Sequence, residues 1–224
     1  MNIIITGSTG MIGKGVLLEC LDNPTITSIL LVNRTPINIK HPKLTEIICA
    51  DWLQLSDIEK SLTGYDACYF CLGATVSTLS EASFRHTSIT LSLHFIKTIL
   101  NLNPNMTLCT VTGMGVDGSK PTKNMWMGIK GEQEQALVQL NLNKLYIFRP
   151  GYIQPMRGVR SKTMLYRLFY LFLSPFYPII KRLLPTFTTS TVEIGKAMIY
   201  LTKHSHNHIF LENNDINKLA NGLA

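Results

Sequence analysis

The sequence predicts an α/β fold: a doubly wound parallel sheet of the Rossmann type, carrying a small helical, basic and aromatic C-terminal lobe. Three observations lead there. The predicted strands are apolar almost throughout instead of alternating, which is how strands covered on both faces read. Helical patterns recur between them, the rhythm of βαβ units. The first strand, Asn2 to Ile5, passes into a helix through Gly7, Gly10 and Gly13, spaced GxxGxxG. A strand, a glycine turn and a helix N-terminus together make an anion site, because first-turn N–H groups have no intrahelical partners and the dipole adds partial positive charge. In such a turn Gly7 permits the bend, Gly10 lets a pyrophosphate approach the backbone, and Gly13 lets helix and strand pack closely.

Helix one is predicted from Met11 to about Leu21, with Ile12, Val16 and Leu17 on one face and a stop at Asp22-Asn23-Pro24. Ile26 to Val32 is the second strand, ending in Asn33-Arg34; Leu44 to Cys49 is the third, followed by Ala50-Asp51-Trp52. Ser56 to Leu62 reads as a short helix with Ser56 as N-cap and Glu59 at the capping-box position. The fourth strand, Asp66 to Cys71, runs into Leu72-Gly73-Ala74-Thr75. A long helix from about Ser80 to Leu100 stops at Asn103-Pro104, and Met106 to Thr112 is the fifth strand, ending in Gly113-Met114-Gly115. A helix over about Thr122 to Leu140 leads to the sixth strand, Leu145 to Phe148, and to Arg149-Pro150-Gly151. Near the C-terminus an N-capped helix opens from Thr188, His208 to Leu211 adds an edge strand, and Asp215 to Ala220 a last helical turn. Ligands of parallel sheets lie beyond the carboxyl ends of the strands, so the strand-end residues are the candidate site.

The 224 residues suit one domain over 1–224, and 46% hydrophobic with 16% charged residues exclude a disordered chain. The N-terminus enters a strand without a basic n-region or cleavage site, so no signal peptide is expected. Five cysteines, an odd count without framework spacing, point to a reducing compartment and a cytoplasmic protein. Cys68 and Cys71 form a CxxC inside an apolar strand and read as buried thiols, while His204, His206 and His208 lack the further ligands a zinc site needs. The net charge of +7 is concentrated: residues 151–192 hold six Lys/Arg and no Asp/Glu.

Taken in order, TGSTGMIG at the first turn, Asn33-Arg34, Ala50-Asp51, CLGAT, VTGMG, the lysine of WMGIKGE and FRPG resemble the short-chain dehydrogenase/reductase superfamily. The likeness is to its atypical branch, grouped with NAD-dependent epimerases and dehydratases, and it runs from residue 3 to 151. It implies an NAD(P)-binding fold whose C-terminal part holds a small-molecule substrate. The implied cofactor contacts are Gly7, Ser8, Thr9, Gly10, Met11 and Ile12 at the first turn, Arg34 after strand two, and Asp51 and Trp52 after strand three. Leu72, Gly73 and Ala74 after strand four, Lys130, and Pro150 and Gly151 after strand six complete the set. Asp51 would accept from the adenine amino group; alternatively it simply turns the chain.

NAD enzymes usually carry an acidic residue at the end of strand two for the ribose hydroxyls. Here Asn33-Arg34 stands there and Lys14 follows Gly13, which favours the phosphorylated ribose of NADP over NAD, since arginine clamps phosphate bidentately. At the catalytic positions the chain departs from the family. The resemblance implies a Tyr four residues before Lys130, but position 126 is Trp, whose N–H donates without exchanging protons near neutral pH. Thr112 fits one family hydroxyl position and Gly113 occupies the other. The catalytic candidates are therefore Thr112, Lys130 and Tyr152, with His86 and Asp117 as further proton carriers; Glu132 and Glu134 read as a solvated helix face.

Residues 152–187 form a substrate lid or interface segment, with MLYRLFYLFLSPFYPII (164–180) the most apolar stretch. Its uncharged run after Arg167 is 13 residues, short of the ~20 needed to span a bilayer. It reads either as a pocket lid and core helix, or as an interfacial segment that meets anionic lipid through residues 157–182. A homo-oligomer contact could use the same surface. Nucleic acid is disfavoured, because no reading element accompanies the charge. Three functions follow: an NADP-dependent oxidoreductase or epimerase-like enzyme, a catalytically silent NADP(H)-binding regulator, and a peripheral membrane protein.

Overall fold

Ile3, Ile4 and Ile5 are fully buried in β1 (Asn2–Thr6), because layers of helix cover both faces of the strand. Burying each such side chain contributes about 1.5–3 kcal/mol. The structure is a computed structural model that describes residues 1–73, 79–161, 164, 170 and 172–222. β1 pairs in parallel with β2 (Ser28–Asn33) on one side and with β4 (Ala67–Phe70) on the other. β3 (Leu44–Ile48), β5 (Thr107–Val111), β6 (Leu145–Arg149) and β9 (Phe210–Glu212) complete a seven-stranded sheet of order β3-β2-β1-β4-β5-β6-β9, every pairing parallel. The chain winds outward from β1 to β3, then returns to start again at β4. The crevice between β1 and β4 is thus the switch point at which such sheets bind ligands.

On one face, Ile3, Ile5, Ile29 and Leu31 pack under α1 (Met11–Asp22), α6 (Thr191–Lys203) and α7 (Asn213–Ala220). On the other, Ile4, Leu30, Val32 and Phe70 meet Trp52, Leu62 and the inner side of α3 (Ser92–Leu102), with Leu137 of α4 (Met125–Val138). The expected doubly wound sheet is present, and the expected edge strand is β9, beside β6.

Local chemistry moves several boundaries. The capping box at Ser56 does not form: Ser56 Oγ donates to Asp57 Oδ1 at 3.3 Å, and only a 3₁₀ turn, Glu59–Leu62, follows. The long helix begins where Ser80 Oγ accepts from the Ser83 N–H, runs as α2 (Glu81–Arg85), widens into a π segment (His86–Leu91), and continues as α3. Ser92 Oγ donates to the Thr87 carbonyl, five residues back, at 2.8 Å, which supports the wide turn. α4 starts at Met125 because Asn124 Oδ1 accepts from the Met127 N–H.

After β6 the chain makes a two-stranded parallel ribbon, β7 (Tyr152–Gln154) with β8 (Thr188–Ser190). Between them α5 (Tyr177–Leu183) buries none of its residues, so the core-helix half of the lid reading does not hold there. Most of residues 162–171 lies outside the described part. Among the described residues, no helix is long and apolar enough to cross a membrane.

Candidate nucleotide site

The first turn is built for glycine. Gly7 has φ +67°, and a Cβ on it would sit 2.4 Å from the Cys71 carbonyl oxygen at the end of β4. A Cβ on Gly13 would come equally close, 2.4 Å, to the Gly7 carbonyl, so the turn, α1 and β4 meet backbone to backbone. α1 then starts at Met11 with no side-chain cap from Gly10 and no acidic residue in its first turn. Its first N–H groups and dipole are left for an external anion.

Beyond the carboxyl ends of β1, β2 and β4 lies a cleft of about 730 Å³, within the usual range of small-molecule sites. It gathers Gly7, Thr9, Gly10, Met11 and Ile12 from the first turn, Arg34 after β2, Trp52 after β3, and Leu72 and Gly73 after β4. These residues come from four separate stretches of the sequence reading. Ala74 lies outside the described residues. Thr35, Thr87 of the π segment and Ser161 of the lobe also line the cleft, and nothing local in the sequence marks them.

Ser8 stands behind this wall. It is buried, and its hydroxyl exchanges hydrogen bonds with the Asn33 side chain, whose Nδ2 also donates to Glu46 Oε1 at 2.7 Å. Asn33 reaches the cleft wall, but its side-chain amide is spent on these two partners. Arg34 is exposed at the cleft and has no ion pair among the described residues. Asp51 is outside the lining; its Oδ1 accepts from the Leu53 N–H at 2.9 Å and turns the chain. Trp52 supplies the wall instead, held by Nε1 donating to the Cys49 carbonyl at 3.2 Å and by Phe95, whose ring centroid is 4.6 Å away.

Thr112 and Tyr152 sit beyond the ends of β5 and β6 and Lys130 on α4, and none of the three lines that cleft. Thr112 Oγ1 donates to Glu134 Oε1 at 2.6 Å. Glu134 is 1% exposed, not part of a solvated face, and Arg149 Nε donates to it at 3.1 Å while stacking 4.0 Å over the Phe210 ring. Glu132 does face solvent, paired with Arg85. Lys130 Nζ donates to Gln133 Oε1 at 2.8 Å, and burial lowers its pKa to about 8, with the charge of Glu134 opposing the shift. The Trp126 indole lies over Gly113: a Cβ at 113 would be 2.6 Å from its Cη2.

Tyr152 donates to Gln154 Oε1 at 2.6 Å and burial pushes its phenol up, away from the range a proton donor uses near neutral pH. The Pro150 carbonyl accepts from Met114 N–H and the Gly151 N–H donates to Asn213 Oδ1, so this pair ties β6 to its neighbours. His86 is exposed at the start of the π segment. Asp117 is held well below the usual carboxylate range by Ser119 and Lys120. The histidines at 204–208 belong to no metal-ligand group among the described residues.

Solved structures with this arrangement include epimerases, dehydratases and short-chain dehydrogenases. UDP-N-acetylglucosamine 4-epimerase from Methanobrevibacter ruminantium superposes with a TM-score of 0.68 at 17% identity, over 94% of this chain and 76% of that one. A mutant of DesIV, a dTDP-glucose 4,6-dehydratase from Streptomyces venezuelae solved with NAD bound, gives 0.66 at 13% identity, over 98% and 80%. The fold is that of the short-chain dehydrogenases/reductases. No family model matches the sequence. Among curated proteins the chain is similar to Protein FMP52, mitochondrial, of Candida albicans, 26% identical over 154 residues, and it spans 66% of that protein's length and 67% of its own. Trp126 and Gly113 go together: the indole fills the room that a side chain at 113 would take. Glu134 was hidden because α4's buried face is itself polar, carrying Lys130, Gln133 and Glu134. Its one legible signal is the four-residue spacing from Lys130, which puts both on one face.

Proposed function

We propose that the chain binds NADP(H) in the cleft above β1 and β4 and acts as an oxidoreductase or epimerase-like enzyme on a small molecule. The observation that carries this reading is the uncapped α1 N-terminus opening on a wall of bare backbone. An added Cβ at Gly10 would meet only the Gly7 carbonyl oxygen, at 3.2 Å, so the turn is open on its cleft side. The Gly7–Ile12 turn would hold the pyrophosphate, Trp52 would back the adenosine end, and Arg34 would clamp a 2′-phosphate. The NAD named with the DesIV structure supports a nicotinamide dinucleotide; the preference for NADP rests on Arg34. When bound, such a cofactor supplies or accepts a hydride.

A second reading, an NADP(H)-binding regulator without turnover, is favoured by one set of contacts. The Thr112 hydroxyl is engaged by Glu134, Lys130 by Gln133, and the place of the proton donor by an indole. Five free thiols, four of them buried, suit a reducing interior. The cytoplasm is one such compartment, and the name of the FMP52 relative offers the mitochondrion as another.

Calorimetry with NADPH and NADH tests the binding step: NADPH should bind more tightly, and Gly10→Phe should abolish the heat. Silence with both coenzymes would overturn the proposal. NADPH oxidation against a broad carbonyl panel then separates the readings. Turnover supports the enzyme; binding without turnover, with activity appearing in Trp126→Tyr, supports the regulator.

A further inference from the structure

We propose that the C-terminal lobe docks on an anionic membrane surface through the outer side of α5. Phe172, Phe176, Ile179 and Leu183 recur at steps of four, three and four residues, one helical stripe. All four face solvent, at 72, 58, 59 and 72% exposure. Neither α5 nor the short 3₁₀ turn before it (Ser174–Phe176) buries a residue. A helix that rests on the chain through Tyr177 and Lys181 but buries no whole residue, and keeps an apolar stripe in solvent, has that stripe for something outside the chain.

The charge around the stripe selects the occupant. Residues 151–192 contain six cations and no anion. Two of the six are engaged within the protein: Arg157 pairs with Glu19 and Asp22, and Lys181 with Glu193. Arg160 and Arg182 are exposed and have no ion pair among the described residues. Exposed apolar and aromatic side chains on a helix that also carries the unpaired Arg182, in a segment without an acid, match a bilayer interface, where the former enter the acyl boundary and the cation meets phosphate headgroups. A second copy of the chain is a poorer fit. A two-fold contact sets the same surface against itself, so one arginine rim would face another with no acid in the segment to offset it.

Co-sedimentation of the full chain with phosphatidylcholine vesicles, with and without phosphatidylserine, tests this. Binding should require the anionic lipid and weaken as salt rises from about 0.05 to 0.5 M, where screening shortens from roughly 14 to 4 Å. Ile179→Glu with Leu183→Glu should lower the partition coefficient at least about tenfold. Arg160→Glu with Arg182→Glu should do so for anionic vesicles alone. Melting temperatures of both variants should equal that of the native chain, since the altered side chains are exposed. The proposal falls if the native chain stays in the supernatant, if neutral and anionic vesicles bind equally, or if either variant sediments like the native chain. It falls too if light scattering finds a dimer that the apolar variant dissolves while no lipid is bound.

Discussion

Gly113 and Trp126 should be energetically coupled, and the structure gives the size of the coupling. A methyl on Gly113 would lie 2.6 Å from Trp126 Cη2 and 3.2 Å from Cζ2. Carbon atoms rest at about 3.5–4.0 Å, so the overlap is roughly 1 Å. Forcing a methylene into such a site costs about 1–3 kcal/mol. The Gly→Ala change returns about 0.4–1 kcal/mol by restricting the unfolded chain, and Gly113 has no positive φ to oppose it. Gly113→Ala should therefore lose about 1–2 kcal/mol, or roughly 3–6 °C in melting temperature for a chain of this size. Trp126→Phe removes both clashing atoms. In that background the alanine should cost little, leaving a coupling energy of about 1–2 kcal/mol in a double-mutant cycle measured by urea denaturation. If the two changes add within about 0.5 kcal/mol, the indole does not fill the space over Gly113 and the pairing of the two residues is wrong. If they couple, a hydroxyl side chain fits at 113 only where the indole is also reduced, as in Gly113→Ser with Trp126→Tyr. The serine alone would collide with the ring.

Three further outcomes follow from the same contacts. Arg34→Ala should weaken NADPH binding about tenfold to a hundredfold, the worth of a charged hydrogen-bonded contact, and leave NADH nearly unchanged in calorimetry; equal losses would remove the case for NADP. Lys130→Met should stabilise the protein at pH 7 by about 1–3 kcal/mol, because burial lowers the pKa from 10.5 to about 8 and each pKa unit is worth about 1.4 kcal/mol. The sign is definite: below about pH 8 the folded chain bears the full cost of a buried ammonium. Between about 8 and 10.5 only the folded state releases the proton, so the gap to the methionine variant should close over that window in pH-dependent denaturation. Glu134→Gln should cost about 3 kcal/mol, since it takes the buried carboxylate from Arg149 and leaves only the longer contact to Glu212, 3.8 Å, whereas Glu132→Gln at the exposed Arg85 pair should leave the melting temperature nearly unchanged.

What could be read from the sequence and what could not divide by the distance over which each feature is determined. The isoleucines of β1 and the GxxGxxG turn are legible because local geometry dictates them: a strand buried on both faces favours apolar residues along its length, and the φ of +67° at Gly7 admits almost nothing but glycine. The cleft inherits that legibility, since it is made of the turns that end those strands. Asp51 and Trp52 show the limit, because adjacent residues point opposite ways and no pattern says which one meets the cleft. The ends of β5 and β6 are harder still. Thr112, Glu134 and Arg149 are joined across separations of 22 and 15 residues, so none of the three carries its reason nearby. α4 compounds this by burying Lys130, Gln133 and Glu134, which inverts the rule that the apolar side of a helix faces inward. A buried charge is tolerated only with a partner, so each charged residue on that face implies another one elsewhere. The Lys130–Glu134 spacing therefore does more than mark a shared face: it requires that the strand ends opposite supply donors, and Thr112 and Arg149 are those donors. Trp126, one turn earlier on the same helix, lies over the backbone of Gly113. The tryptophan at 126 and the glycine at 113 are in this sense a single structural feature.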